Sequence, residues 1–149
     1  MNNKENYPTW LVPLDIAKKL KEIGFDEPTL FHYYENDFDV TIETNSYYDE
    51  GEAQGYLHFY ISAFKEENFN RDKKCISIPV WEQVFAWFRE RGLHCSIRYL
   101  ICPVTYSFHI IDNCNWDKGC GNRNTYEEAR ETCVEELIKI FKENKDRLK

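Results

Sequence analysis

Along this chain the spacing of apolar residues switches between a helical period of about 3.6 and a strand period of 2, and no other feature restricts the fold as much. The helical period appears in three segments. In Pro13 to Ile23, residues Ile16, Ala17, Leu20 and Ile23 share one face, opposite Lys18, Lys19, Lys21 and Glu22. Gly24 followed by Phe25 is the sequence form of a Schellman stop, in which a left-handed Gly ends the helix and the next apolar side chain folds back on it. A second helix is expected to open at Pro79, with Val80, Trp81, Val84, Phe85, Trp87 and Phe88 on a broad apolar face, and to stop at Gly92 before Leu93. Trp81, Phe85, Trp87 and Phe88 read as core side chains rather than a ligand box, with Trp87 toward the edge of the stripe. The third helix opens at Thr125, where Thr125 and Glu128 have the spacing of a capping box, and runs to about Asn144. Its buried stripe is expected to be Tyr126, Ala129, Cys133, Leu137, Ile140 and Phe141.

Between the helices the period is 2. Phe38, Val40 and Ile42 alternate with Asp37, Asp39, Thr41 and Glu43, and Leu57, Phe59, Ile61 and Ala63 alternate with Tyr56, His58, Tyr60 and Ser62. These two strands are expected to pair across the loop Asn45 to Gly55, with Thr29 to Tyr34 as a third strand. Further on, Cys95, Ile97, Tyr99 and Ile101 alternate with His94, Ser96, Arg98 and Leu100, and Tyr106, Phe108 and Ile110 with Thr105, Ser107 and His109. This second hairpin closes either by a two-residue turn with Pro103 in cis or by a four-residue loop, and both keep the same faces. The segment Cys114 to Asn124 reads as a loop or short hairpin around Asp117-Lys118-Gly119. The order α-β-β-β-α-β-β-(β)-α predicts an α+β fold with three helices on antiparallel sheet. The 149 residues suit a single domain spanning 1–149, with divergent halves at 9–74 and 75–149 as the alternative division.

Charge is distributed unevenly. Residues 1–74 carry 8 Lys or Arg against 15 Asp or Glu, whereas residues 75–149 carry 11 of each, so the net charge of -7 belongs to the first half. From Glu22 to Phe64 there are ten carboxylates and no Lys or Arg. Such a segment repels phosphate, which argues against direct nucleic-acid binding and against an anionic membrane surface. No apolar run has membrane-spanning length, and Met1 to Leu11 lacks a signal-peptide core, so the expected location is the cytoplasm. The six cysteines have no C-x-x-C spacing and are expected to be reduced thiols.

Three segments carry a resemblance: AKKLKEIGFDEP (Ala17 to Pro28), PVWEQVFAWFRERGL (Pro79 to Leu93) and TYEEARETCVEELIKI (Thr125 to Ile140). Together they resemble small uncharacterised proteins of gut-bacterial genomes, prophages and mobile elements, in which a Trp-Phe-Arg or Trp-Leu-Arg helix precedes a hairpin and a Tyr-Glu-Glu-Ala helix. Cys114 to Asn124 departs from that pattern, where a shorter link is expected. The resemblance carries over no functional residue. The second half also resembles the layout of a double-stranded RNA-binding domain, but it has Glu127 and Glu128 where those domains place Lys at the start of the last helix. Its strands and Tyr-Glu-Glu-Ala helix resemble the antitoxin half of HicB-type systems, a protein-binding module. Both likenesses are of layout, and layout does not determine function.

Two surfaces are candidates for function. The first alternates carboxylates with aromatic rings: Tyr34, Asp37, Asp39, Glu43, Tyr47, Tyr48, Asp49, Glu50 and Tyr60. That mixture suits a basic host or phage protein, through charge pairing and cation-π contact, and it includes mimicry of DNA as a sharper variant. The second is the polar face of the later hairpin, where His94, Arg98 and His109 are groups usable for acid-base chemistry or ligand binding. The bland alternatives are a solubilising acidic surface and a solvated outer sheet face. No nucleophile, base and orienting group stand at a spacing that defines an active site, so a non-enzymatic binding module is the leading expectation. Cys114 and Cys120 flank a turn without the second pair of ligands zinc requires, and Asp37 and Asp39 lack the rest of a calcium loop, so no metal and no cofactor are expected.

Overall fold

A computed structural model describes residues 7–35, 40–44, 66–114 and 116–144. These residues form an α+β fold with three helices and antiparallel sheets, in the order α1 (Leu14–Ile23), β1 (Phe31–Glu35), β2 (Val40–Thr44), β3 (Cys75–Ile78), α2 (Trp81–Glu90), β4 (Leu93–Ile101), β5 (Val104–Asp112), β6 (Asp117–Arg123) and α3 (Tyr126–Glu143). The chain divides into two compact units, Met1–Val80 and Trp81–Lys149.

In the first unit α1 ends as its sequence requires. Gly24 takes the left-handed conformation at φ 92°, and the amides of Gly24 and Phe25 donate to the carbonyls of Lys21 and Leu20. Phe25, Ile16, Ala17, Leu20 and Ile23 are buried. The sheet has the order β2-β1-β3, all antiparallel, with Phe31 opposite Thr44 on one side and Ile78 on the other. β3 was not expected as a strand. Its four residues Cys75–Ile78, the polar Ser77 among them, are all buried, and a segment this short does not distinguish strand from helix. One side of the sheet meets α1. On the side of His32 and Ser77, a single 3-10 turn, Phe69–Arg71, stacks the Phe69 ring on His32 at 4.1 Å, and the Asn70 side chain accepts from the Ser77 amide at 3.0 Å. The proposed partner strand Tyr56 to Phe64 lies outside the described residues.

In the second unit β4, β5 and β6 form a meander with β5 central. Ile101 pairs with Val104, so the hairpin closes in two residues, with the Cys102–Pro103 bond cis. The helices occupy one face, where Phe108 and Ile110 of β5 are buried beneath α3. α2 begins two residues later than expected, because Val80 is held in an antiparallel bridge with Leu11 and cannot also enter the helix. Its stop is as expected, with Gly92 at φ 80° and Leu93 buried. Trp87 is 1% exposed and belongs to the centre of the core, not the edge of the stripe. Its ring packs at 5.1 Å from both Phe88 and Phe141.

α3 has the capping box, Thr125 Oγ1 accepting from the Glu128 amide and the Glu128 carboxylate accepting from the Thr125 amide. Its buried stripe is wider than the period predicts, since Val134 and Ile138 join Ala129, Cys133, Leu137, Ile140 and Phe141. Tyr126 departs from that stripe and is 41% exposed.

The segment after β5, expected as a loop or short hairpin with an optional strand before the last helix, is the strand β6, pairing Gly119 with Ile110 and Gly121 with Phe108. A Cβ on Gly121 would lie 2.7 Å from the Phe108 ring, so this strand replaces its own inward side chain with the ring of its neighbour. Gly121→Ala should therefore destabilise the protein by about 1 to 3 kcal/mol through overpacking, measured by urea denaturation. Leu137→Asp, at a position fully excluded from solvent, should cost about 3 to 5 kcal/mol, and an unchanged urea midpoint would refute the buried face of α3.

Candidate functional site

Because β5 is central and Phe108 and Ile110 are buried under α3, its odd positions point to the opposite face, and the register aligns three cross-strand rows there. These are His94, Ile111 and Asp117; Ser96, His109 and Cys120; and Arg98, Ser107 and Asn122. His94, Arg98 and His109 thus share a face but do not converge. His94 and Arg98 are four residues apart on one strand, roughly 13 Å, with the row of His109 between them. His94 Nε2 lies 2.8 Å from the Asn113 side-chain oxygen, a contact at the turn rather than over the sheet. Arg98 is exposed.

His109 has two neighbours that sequence reasoning missed. Its Nε2 is 3.2 Å from Asp117 Oδ2, and Cys120 stands directly opposite it on β6. The imidazole thus pairs with a carboxylate and has a cysteine across the strand from it by register. The signal was present as the alternation of Lys118, Cys120 and Asn122 with two glycines, but Gly and Asp are poor strand formers and masked it. The imidazole is 35% and the carboxylate 63% exposed, so water screens the pair. The row lies on an open sheet face, with no wall to exclude water from a reacting group.

A groove of ≈ 350 Å³ lies at the end of the sheet remote from the Cys102–Pro103 turn, between the C-terminus of α2 and the β5–β6 connection. Its polar groups are engaged in holding that connection. The Asp112 carboxylate accepts from the amides of Cys114 (2.9 Å) and Trp116 (3.0 Å) and pairs with Lys118 Nζ at 3.1 Å. The Trp116 amide, then Lys118 and the Cys114 amide, hold its pKa below the ordinary carboxylate value. The Arg91 guanidinium lies 3.8 Å over the Trp87 ring and donates to the Trp87 carbonyl. The groove is therefore a braced turn. Among the described residues no three His, Cys, Asp or Glu side chains are grouped to hold a metal ion.

The third feature is apolar. β4 and β5 each run nine residues, and the helices cover only the part near Leu93 and Asp112. Toward the turn, Tyr99 is 54%, Ile101 79% and Val104 65% exposed, and Leu100 is exposed on the other face. Tyr99, Ile101, Val104 and Tyr106 share the inner face by register, and the Tyr106 ring links Tyr99 (5.2 Å) to Tyr126 (6.0 Å). A contiguous apolar and aromatic surface is thus left open where the core stripe outruns its helix.

Of the acidic aromatic set, Asp37, Asp39, Tyr47, Tyr48, Asp49, Glu50 and Tyr60 lie outside the described residues. Tyr34 is in β1 opposite Thr41, and Glu43 is in β2 opposite His32. Among the described residues no helix is long and apolar enough to cross a membrane. Comparison with known proteins finds no matching family model, no matching curated protein and no matching solved structure.

The bonds to Asp112 generate a pH dependence. A carboxyl whose native pKa is depressed contributes stability that is complete above its unfolded value, about 3.9, and is lost as pH falls through the lower native value. Asp112→Asn should therefore flatten the decline of the urea midpoint below about pH 4, and an unchanged acid profile would show that the carboxylate does not brace the turn.

Proposed function

We propose that this chain is a cytosolic, non-enzymatic module that binds a basic protein of a host cell or phage. The observation that supports this most is the open apolar end of the β4–β5 hairpin. Leaving Ile101 and Val104 in water forgoes roughly 1.5 to 3 kcal/mol each, a loss that contact with a partner recovers. The run of ten carboxylates without Lys or Arg from Glu22 to Phe64 sets the partner's charge, because its field accelerates encounter with a cationic surface. The alternative, an enzyme built on His94, Arg98 and His109, has less support, since these groups lie spread on an open face and each catalytic role needs convergence within hydrogen-bond reach.

A pulldown from host lysate at low and high salt tests the reading with two variants. Changing Asp37, Asp39, Glu43 and Glu50 to their amides should abolish capture and its salt dependence. Ile101→Ser with Val104→Ser, both at exposed positions where the fold is indifferent, should weaken capture of the same protein at least about tenfold. Equal capture by wild type and both variants would overturn the proposal, and capture of nucleases or repressors through their cationic grooves would favour mimicry of DNA.

A further inference from the structure

The sheet of the second unit ends in two edges that are built differently. β6 carries Asp117, Lys118 and Arg123, two glycines and a register shift opposite Ile110 and Ile111, which are devices by which an edge strand resists further pairing. β4 has only one charge, Arg98, and no glycine, proline or bulge. It is nine residues long, against a usual length of about 5 to 6, and its register with β5 is unbroken. The hairpin closes in two residues, so Ile101 and Val104 exchange their main-chain hydrogen bonds, and bonded and non-bonded pairs alternate from there. His94, Ser96, Arg98 and Leu100 therefore direct their main-chain N–H and C=O groups away from β5. Among the described residues no strand lies on that side, and Ser96, Arg98 and Leu100 are exposed.

We propose that the free edge of β4 is the interface of a homodimer, in which two copies pair antiparallel about a two-fold axis at Ile97 and their three-stranded sheets become one. The choice of a second copy rests on self-complementarity. Only the register centred on Ile97 pairs the whole length of both strands. On the inner face it sets Ile97 against itself and Cys95 against Tyr99 of the second copy, so apolar side chains meet apolar side chains. On the outer face it sets Arg98 against Ser96 of the second copy, twice by symmetry, so the one charge on the strand meets a hydroxyl. A register centred on Arg98 would instead oppose two guanidiniums, which is unfavourable. Net charge favours the same edge. Residues 75–149 carry 11 cations and 11 anions, whereas the net -7 belongs to residues 1–74, so copies that meet through β4 join charge-balanced halves. Edge pairing bonds main chain to main chain and leaves the faces of the sheet uncovered, so Tyr99, Ile101 and Val104 stay open to a basic partner. The inference goes beyond the protein-binding reading and does not depend on it.

Sedimentation velocity of the purified full chain over a range of concentrations should show a reversible approach to the mass of two chains. Ser96→Lys places a cation opposite Arg98 of the second copy at two points of the interface and should weaken the dimer about tenfold. Ser96→Glu supplies the opposite charge at the same points and should tighten it by a similar factor. Position 96 is exposed, so the fold is indifferent to either change. Ile97→Cys tests the register, because a residue that faces itself in a non-hydrogen-bonded pair is within disulfide reach. After treatment with diamide, its non-reducing digest should contain a peptide joined to its own copy through position 97. A single-chain mass at every concentration up to about 1 mM would overturn the proposal, as would a dimer equally stable with Ser96→Lys and Ser96→Glu, or absence of the joined peptide.

Discussion

The second unit depends on one contact surface, the apolar stripe of α3 laid on the inner face of the β4-β5-β6 sheet. The stripe is wide because Val134 and Ile138 flank Cys133, Leu137, Ile140 and Phe141. It closes on Phe108 and Ile110 from the central strand and on Trp87 and Phe88 from α2. Other local features follow from it. β6 has a glycine at 121 because the Phe108 ring occupies the space a side chain there would take. The Arg91 guanidinium stacks on the ring that Trp87 presents to it. The Asp112 turn is braced because β6 must return at once to reach the edge of β5.

The same contact explains where surface is left over. A helix of 18 residues with one end fixed at Tyr126 covers the sheet only as far as Tyr106, while β4 and β5 continue to Ile101 and Val104. The strands need that length for their turn and the helix does not reach it, so residues with core chemistry stand in solvent. In the first unit the balance is different. Phe31, His32 and Tyr33 are all buried, because α1 and the short turn at Phe69 engage the sheet from both sides.

Elements with a strong period were legible in the sequence: all three helices, both Gly-apolar stops, the capping box and the β4–β5 hairpin. What escaped had no period to read. β3 is too short and too uniformly buried, and β6 has Gly where a strand ordinarily has a branched side chain. The start of α2 was misplaced because Pro79 suits a helix, yet the pairing of Val80 with Leu11 is a contact across 69 positions that local pattern cannot contain. Tyr126 was misassigned for a related reason: its helical position points inward, but the sheet beneath it has already turned toward Tyr106 and leaves it half open. At the candidate site, the shared face of His94, Arg98 and His109 followed from alternation alone. Their separation followed from register, and the company of Asp117 and Cys120 required β6.

The central claim is that the β4–β5 hairpin outruns its helical cover and presents an apolar end to solvent. Hydroxyl-radical footprinting of the full chain tests it most directly, because side-chain labelling follows solvent access. The account predicts strong labelling of Tyr99, Ile101 and Val104, moderate labelling of Tyr126, and protection of Phe108, Ile110, Leu137 and Phe141. Protection of Tyr99, Ile101 and Val104 to the level of Phe108 in the isolated chain would contradict it.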